Sequence, residues 1–256
     1  MPENASPPLP NHEGQRVPEV QFRLRQNGDW TVTSSKELFG GKNVVVFSLP
    51  GAFTPTCSST HLPRFNELAP VFRQHGIDAI VCISVNDPFV MEEWGKSQEC
   101  QNVLLLPDGN GAFTDQMGLL VDKSDLNFGR RSWRYSMLVR DGVVEKMFLE
   151  PQKAGDPFEV SDADTMLNYI APKATRPDQV ALLSREGCTF CAQAKAMLKE
   201  AGYDYVDVPL PANIRSRALG AIASAGTVPQ VFVNGKLIGG SEALEAFLKE
   251  RSAAAA

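Results

Sequence analysis

Two cysteine arrangements in this 256-residue chain have the spacing to do chemistry. The first is Cys57, at the end of Pro50-Gly-Ala-Phe-Thr-Pro-Thr-Cys57. An apolar, β-branched run from Asn43 to Leu49 precedes it, and Leu62, Phe65, Leu68, Ala69 and Phe72 follow at helical spacing. The thiol therefore stands where a buried strand passes through a tight loop into a helix start. Unpaired N–H groups and the helix dipole favour negative charge at such a place, and the thiolate is the nucleophilic form of cysteine. Most cysteines are small buried hydrophobes; the junction and the flanking hydroxyls point here to a nucleophile instead. The second arrangement is Cys188-Thr-Phe-Cys191, again between a strand pattern, Gln179 to Leu183, and a helix. Structural zinc takes four Cys or His ligands, and this part of the chain has no histidine and no third cysteine, so no metal site is expected. The spacing reads as a redox dithiol with Cys188 as nucleophile and Cys191 as its sheltered partner. Cys82, inside the apolar run Val81-Cys-Ile83, reads as a core thiol, and Cys100, in a polar stretch, as exposed and incidental.

The elements that must hold these thiols follow from pattern. Asn27-Gly28 and Asp141-Gly142 sit between strand-like runs and predict β-hairpins. Asp78 to Val85 and Val103 to Leu106 read as strands, Asp87-Pro88 as a helix start, and Ser161-Asp-Ala-Asp164 as a capped one. Pro63 should disturb the helix after Cys57. Beyond Ala171-Pro-Lys-Ala-Thr-Arg-Pro177 the order is strand, helix, strand (Tyr203 to Asp207), helix, then strands Val231 to Val233 and Lys236 to Ile238 around Asn234-Gly235, and a helix capped by Ser241. These patterns divide the chain into a leader (1–16) expected to be disordered, a first α/β domain (17–171), a linker (172–177), a second α/β domain (178–251) and a short tail (252–256). The leader holds four of the eighteen prolines and little to bury.

Composition narrows the function. A hydrophobic fraction of 43% with 21% charged residues is ordinary for a globular chain. A net charge of −5 argues against nucleic acid or an anionic membrane as partner. No apolar run approaches the roughly 18 residues that span a bilayer. With no secretion signal in view, a cytoplasmic location is expected, where thiols stay reduced and five cysteines serve chemistry more readily than disulfides.

Pro50, Thr54 and Cys57 match the Pro-x-x-x-Thr-x-x-Cys signature of peroxiredoxins, and the whole run resembles the type-5 subgroup, over about Val17 to Ile170. The resemblance implies a thioredoxin-like fold with extra strands and helices. It assigns to Cys57 attack on the peroxide O–O bond, to Thr54 a hydrogen bond to the peroxide, and to Pro50 the shielding of the pocket. It also implies an arginine from a later strand that stabilises the thiolate, here matching Arg134 in Arg-Ser-Trp-Arg134-Tyr-Ser-Met. From the residues alone, Arg134 is one of a basic cluster with Arg130 and Arg131, and strand alternation groups it with Ser136 and Leu138 without saying which face meets Cys57. His61 could share a helix face with Cys57; with Arg134 supplying the charge, a packing or interface role is expected of it. Some type-5 members carry a resolving cysteine just after the segment matching Glu150-Pro-Gln-Lys-Ala-Gly155, where this chain has Asp156-Pro-Phe-Glu-Val160.

Cys188-Thr-Phe-Cys191, Thr227-Val-Pro229 and Gly239-Gly-Ser241 together resemble glutaredoxin, and the order βαβαββα matches a minimal thioredoxin-like domain. That resemblance implies a cis Pro229 and a glutathione site of Arg185, Phe190, Thr227, Val228, Pro229, Gly240, Ser241 and Glu242. Thr189 replaces the proline of the commoner motif. The two resemblances together imply a glutathione-dependent thiol peroxidase for hydrogen peroxide and organic hydroperoxides, with no tightly bound cofactor, glutathione as co-substrate, and a homo-oligomer, dimer or tetramer. Two other classes compete: a peroxide sensor relaying oxidation to a client protein, and an iron–sulfur-binding module, against which the dithiol counts.

Overall fold

The computed structural model of the protein describes residues 7–255. Contacts divide the chain at Arg176/Pro177 into two compact units.

In the first unit, β1 (Gln21–Gln26) and β2 (Asp29–Ser34) form the hairpin expected at Asn27-Gly28. Both turn residues have positive φ, 51° and 91°, which asparagine and glycine tolerate best. Then come α1 (Ser35–Phe39), β3 (Asn43–Ser48), a helical turn opening at Pro55, α2 (Leu62–Gln74), β4 (Ala79–Ser84), α3 (Pro88–Ser97), β5 (Leu104–Pro107), α4 (Ala112–Gln116), β6 (Leu120–Asp122), β7 (Arg130–Ser132), β8 (Tyr135–Arg140), β9 (Val143–Leu149) and α5 (Ala163–Ile170). The central sheet runs β5-β4-β3-β8-β9, with β3, β4 and β5 parallel and β8 and β9 antiparallel to their neighbours. Strand β3 is buried on both faces, which is why its sequence is a continuous apolar run. Val45 and Phe47 pack on one side with Cys57, Phe65 and Leu68, and with Met166 and Leu167 of α5. Val44 and Val46 pack on the other with Phe22, Phe39 and Phe113. Leu138 shares the Cys57 side while Tyr135, Met137 and Val139 take the other, so Arg134, one residue ahead of β8, falls by alternation on the Cys57 side.

The second unit runs β10 (Val180–Ser184), α6 (Thr189–Glu200), β11 (Val206–Pro209), α7 (Ala212–Ala223), β12 (Gln230–Val233), β13 (Lys236–Gly239) and α8 (Ser241–Ala255). Its sheet order is β11-β10-β12-β13, with β10 and β11 parallel and the remaining pairs antiparallel. Helices α6 and α8 cover one face over Leu182 and Val231; α7 covers the other over Leu183 and Phe232. Both units are α/β and thioredoxin-like, the first with additions.

Several expectations are corrected. Residues 7–16 are an ordered strap: the Gly14 N–H donates to the Val144 carbonyl, Val144 N–H to Gln15, and Val17 N–H to Gly142, while Glu13 accepts from Met147 N–H at 2.9 Å. Prolines without apolar bulk look disordered, but free backbone groups at the β9 edge hold the strap in place; residues 1–6 of that leader lie outside the described residues. Of the linker, Ala174 packs on the first unit's core and Arg176 pairs with Asp164 at 2.7 Å. The tail is not separate, since α8 continues through it to Ala255, as alanines favour. Helix α5 is capped by Asp162, which accepts from Thr165 N–H, rather than by Ser161. Ser241 is the first residue of α8, and its hydroxyl donates to the Phe190 carbonyl at 3.1 Å instead of capping. Cys100 is half-buried against the core with its pKa raised by burial, whereas Cys82 is buried as expected.

Candidate active site

The loop before Cys57 is fixed from the sheet. Asn86 takes a hydrogen bond from Ser84 Oγ (2.7 Å) and from the Ala52 N–H (3.0 Å), and Thr54 Oγ1 donates to the Gly51 carbonyl at 2.9 Å. Pro50 is buried beside Leu49 at the end of β3. Phe53 stands at φ 62° with 55% of its surface exposed. A bulky residue in the left-handed region costs about 1–2 kcal/mol, and such strain concentrates at functional loops; no sequence signal marked it. Cys57 begins a π-helical turn, Cys57–His61, closed by the Leu62 N–H on the Cys57 carbonyl. The disturbance expected at Pro63 falls on this turn, because Pro63 follows it directly in the first turn of α2 and has no N–H to offer the carbonyls of the turn before it.

Cys57 is 0% exposed, and Arg134, 1% exposed, brings Nη2 to 3.4 Å from its sulfur. A guanidinium there supplies positive charge where a thiolate would be negative, in a site screened from water. Burial opposes the charge on Arg134, but the Cys57 sulfur and the Asp156 carboxylate outweigh it and raise its pKa. Arg134 Nε donates to Asp156 Oδ1 at 3.1 Å, and Nη2 also pairs with that carboxylate. The other two arginines of the cluster are elsewhere: Arg130 pairs with Asp115, and Arg131 binds the Phe128 carbonyl. His61 is buried among aromatic rings, as a packing residue would be, and its Nδ1 also accepts from Arg134 Nη1 at 2.9 Å. Burial first, then the Arg134 charge, hold its pKa well below the usual histidine value, so the ring is neutral. Asp156 and His61 as ligands of Arg134 escaped the sequence reading, since neither lies in a motif.

In the second unit Cys188 is the N-cap of α6 and accepts the Cys191 N–H on its sulfur at 3.1 Å. Burial works against a Cys188 thiolate, but the Cys191 thiol and N–H and the charge on Arg185 prevail and lower its pKa; burial raises that of Cys191. Cys188 is 8% exposed and Cys191 2%. The Val228–Pro229 peptide is cis, with Pro229 buried and Val228 half-buried. Arg185, Thr227 and Glu242 are exposed, Gly240 and Ser241 half-buried, and Phe190 is 65% exposed, an apolar ring left open beside the dithiol. A Cβ on Gly240 would stand 3.6 Å from the Pro229 carbonyl, ordinary contact distance. No group of three or more His, Cys, Asp or Glu among the described residues is arranged to hold a metal ion. Nor is any described helix long and apolar enough to cross a membrane.

Known proteins share this organisation. The Redoxin family model matches residues 12–167 and the Glutaredoxin model residues 180–238. A hybrid peroxiredoxin of Haemophilus influenzae, hyPrx5, is 54% identical over 235 residues, 92% of this chain and 98% of its own. A peroxiredoxin of Synechocystis is 53% identical over 64% of this chain and 95% of its own. Among solved structures, reduced Prx3 of Vibrio vulnificus in complex with H2O2 superposes with a TM-score of 0.58 at 40% identity, covering 62% of this chain and 98% of that one.

Proposed function

Because this chain belongs to the redoxin family, as a peroxiredoxin domain with a glutaredoxin domain fused behind it, we propose that it is a peroxidase driven by glutathione through its own second domain. The observation that carries the reading is a guanidinium-paired thiol in one unit and a helix-capping dithiol in the other, within one chain. The Cys57 thiolate attacks the terminal oxygen of a hydroperoxide; the O–O bond breaks, the sulfur becomes sulfenic acid, and the departing alkoxide or hydroxide leaves as alcohol or water after protonation. Arg134 lowers the cost of the charge that moves. Thr54 would hydrogen-bond the peroxide if its hydroxyl also engages substrate, and Pro50 walls the pocket.

Glutathione then condenses with the sulfenic acid, forming a mixed disulfide on Cys57 and releasing water. The Cys188 thiolate takes over the glutathionyl sulfur and frees Cys57, and a second glutathione reduces Cys188 and leaves as oxidised glutathione. Arg185, Phe190, Thr227, Val228, Pro229, Gly240, Ser241 and Glu242 would seat glutathione as a co-substrate, no cofactor being tightly bound. A short tether raises the effective concentration of the second domain to roughly millimolar. A homo-oligomer, dimer or tetramer, would let the transfer run between subunits, and reduced glutathione points to the cytoplasm.

The test is peroxide consumption by the intact chain with glutathione, glutathione reductase and NADPH. Sustained NADPH oxidation that disappears in both Cys57→Ser and Cys188→Ser supports the proposal. A burst of about one peroxide per chain without turnover would favour a sensor that relays oxidation to a client.

A further inference from the structure

Arg134 is held from more sides than an ion pair requires. Besides Cys57 and Asp156, its Nη1 is bound to His61 Nδ1, and the opposite ring nitrogen, Nε2, donates to the Ser161 carbonyl at 3.1 Å. That second bond makes the ring the Nε2–H tautomer and leaves Nδ1 free to accept. Phe158 lies against both, 4.9 Å from the His61 ring centre and with the Arg134 guanidinium 5.3 Å from its own. Asp156, Phe158 and Ser161 all come from the irregular segment 150–161 between β9 and α5.

That segment is shaped by two anchors whose side chains bond neither the Arg134 guanidinium nor Cys57, although the Glu150 N–H donates to the Arg134 carbonyl at 3.2 Å. Glu150 is 1% exposed, and its carboxylate accepts the N–H groups of Glu159, Val160 and Ser161 at 2.8, 2.9 and 2.8 Å. Lys123, lying over the Trp133 ring, donates Nζ to the Gly155 carbonyl at 2.6 Å. A carboxylate taken out of water is costly unless its oxygens are satisfied, and here backbone donors from three consecutive residues satisfy it. The result is an arc that presents the Asp156 carboxylate to one edge of the guanidinium and, through the Ser161 carbonyl, orients His61 of the Cys57–His61 turn as a neutral acceptor at the other. The composition of that pair matters: Asp156 already offsets part of the arginine charge, and a second anion in place of neutral His61 would leave less for the sulfur.

We infer that the segment 150–161 is a clamp that aims Arg134 at Cys57, with Glu150 and His61 as positioning residues for the peroxide reaction. The inference rests on the reading of Cys57 as the thiol that attacks peroxide.

The test uses the full chain carrying Cys188→Ser and Cys191→Ser, so that only Cys57 turns over, and only once. Two quantities are read: the second-order rate with hydrogen peroxide, and the Cys57 thiolate titration by ultraviolet absorbance, corrected with a Cys57→Ser chain. His61→Phe keeps a ring among Phe47, Phe65 and Phe158 but removes both polar contacts. It should slow the reaction about tenfold and move the titration upward by about one pH unit, whereas His61→Asn, whose Oδ1 can replace Nδ1, should recover most of both. Glu150→Gln should fall between them. Rates and titrations within about twofold and 0.2 pH units of the parent for His61→Phe and Glu150→Gln, or equal damage from Phe and Asn at position 61, would overturn the clamp. Should Glu150→Gln fail to fold, the two His61 variants decide the matter alone. A parent chain inert to peroxide would remove the peroxidase reading only, and the titration would still decide the clamp.

Discussion

Cys57 and Cys188 stand at corresponding places in two related folds, after a strand and at the start of a helix, yet donors and positive charge are brought to the two sulfurs by different means. Cys57 is sealed from solvent and depends on a full charge brought 77 residues along the chain, Arg134, itself gripped by Asp156 and His61. Cys188 lies near the surface and depends on groups within its own motif: the Cys191 N–H and thiol, then Arg185. The difference suits the two jobs. A thiol that meets a small peroxide can be buried, and there an unscreened guanidinium is worth most. Beside Cys188 the exposed Phe190 ring offers an apolar surface to a bulkier partner.

The comparison predicts its largest contrast from the two serine variants. Cys57→Ser should lower peroxide consumption by at least about 1000-fold and leave glutathione exchange on a small mixed disulfide unchanged, while Cys188→Ser should do the reverse for exchange and keep a single-turnover burst at Cys57. Parallel assays of both variants check it; exchange that depends on Cys57 would erase the division of labour. Next in size is Arg134→Gln. Removing one charge-stabilising donor should slow the peroxide reaction about 100-fold. Leaving Asp156 and His61 without their partner should also cost about 3 kcal/mol of first-unit stability, measurable by urea unfolding. Exchange at Cys188 should not move.

The same contrast explains what could be read without coordinates. The scaffold that places Cys188 was legible, because its parts are neighbours: the strand, the Cys-x-x-Cys spacing, the helix start and the Asn234-Gly235 hairpin are local signals. For Cys57, the loop and its strand were legible, and alternation along β8 groups Arg134 with Leu138, whose side the structure shows to be that of Cys57. The clamp was not, since Glu150 and Asp156 look like ordinary surface acids and only the path of an irregular segment buries one and turns the other inward. The ordered strap 7–16 was missed for a similar reason, because backbone pairing leaves no mark on composition.

A smaller effect sharpens the Cys188 side. Its pKa is lowered, so the thiolate forms, and alkylation quickens, at lower pH than for an ordinary thiol. Arg185→Gln removes one contributor to that lowering. The alkylation profile of Cys188, followed by mass spectrometry of the iodoacetamide-treated chain, should move to higher pH, with the rate near neutrality falling about threefold. An unmoved profile would assign the lowering to the Cys191 contacts alone.

The smallest effect is expected at Cys191 itself. Cys191→Ser takes away the second thiol of the pair but keeps the backbone N–H that Cys188 accepts at 3.1 Å, and a serine hydroxyl can donate where the Cys191 thiol did. The Cys188 thiolate should therefore form over nearly the same pH range. In the proposed cycle Cys188 is released by a second glutathione rather than by Cys191, so turnover with glutathione should stay within about threefold of the parent. It could even rise, since an intramolecular disulfide that draws off the glutathionylated intermediate can no longer form. Complete loss of turnover, with the Cys188 alkylation profile intact, would show that electrons pass through the Cys188–Cys191 disulfide. The second site would then depend on its partner thiol for chemistry, as the first depends on Arg134 for charge.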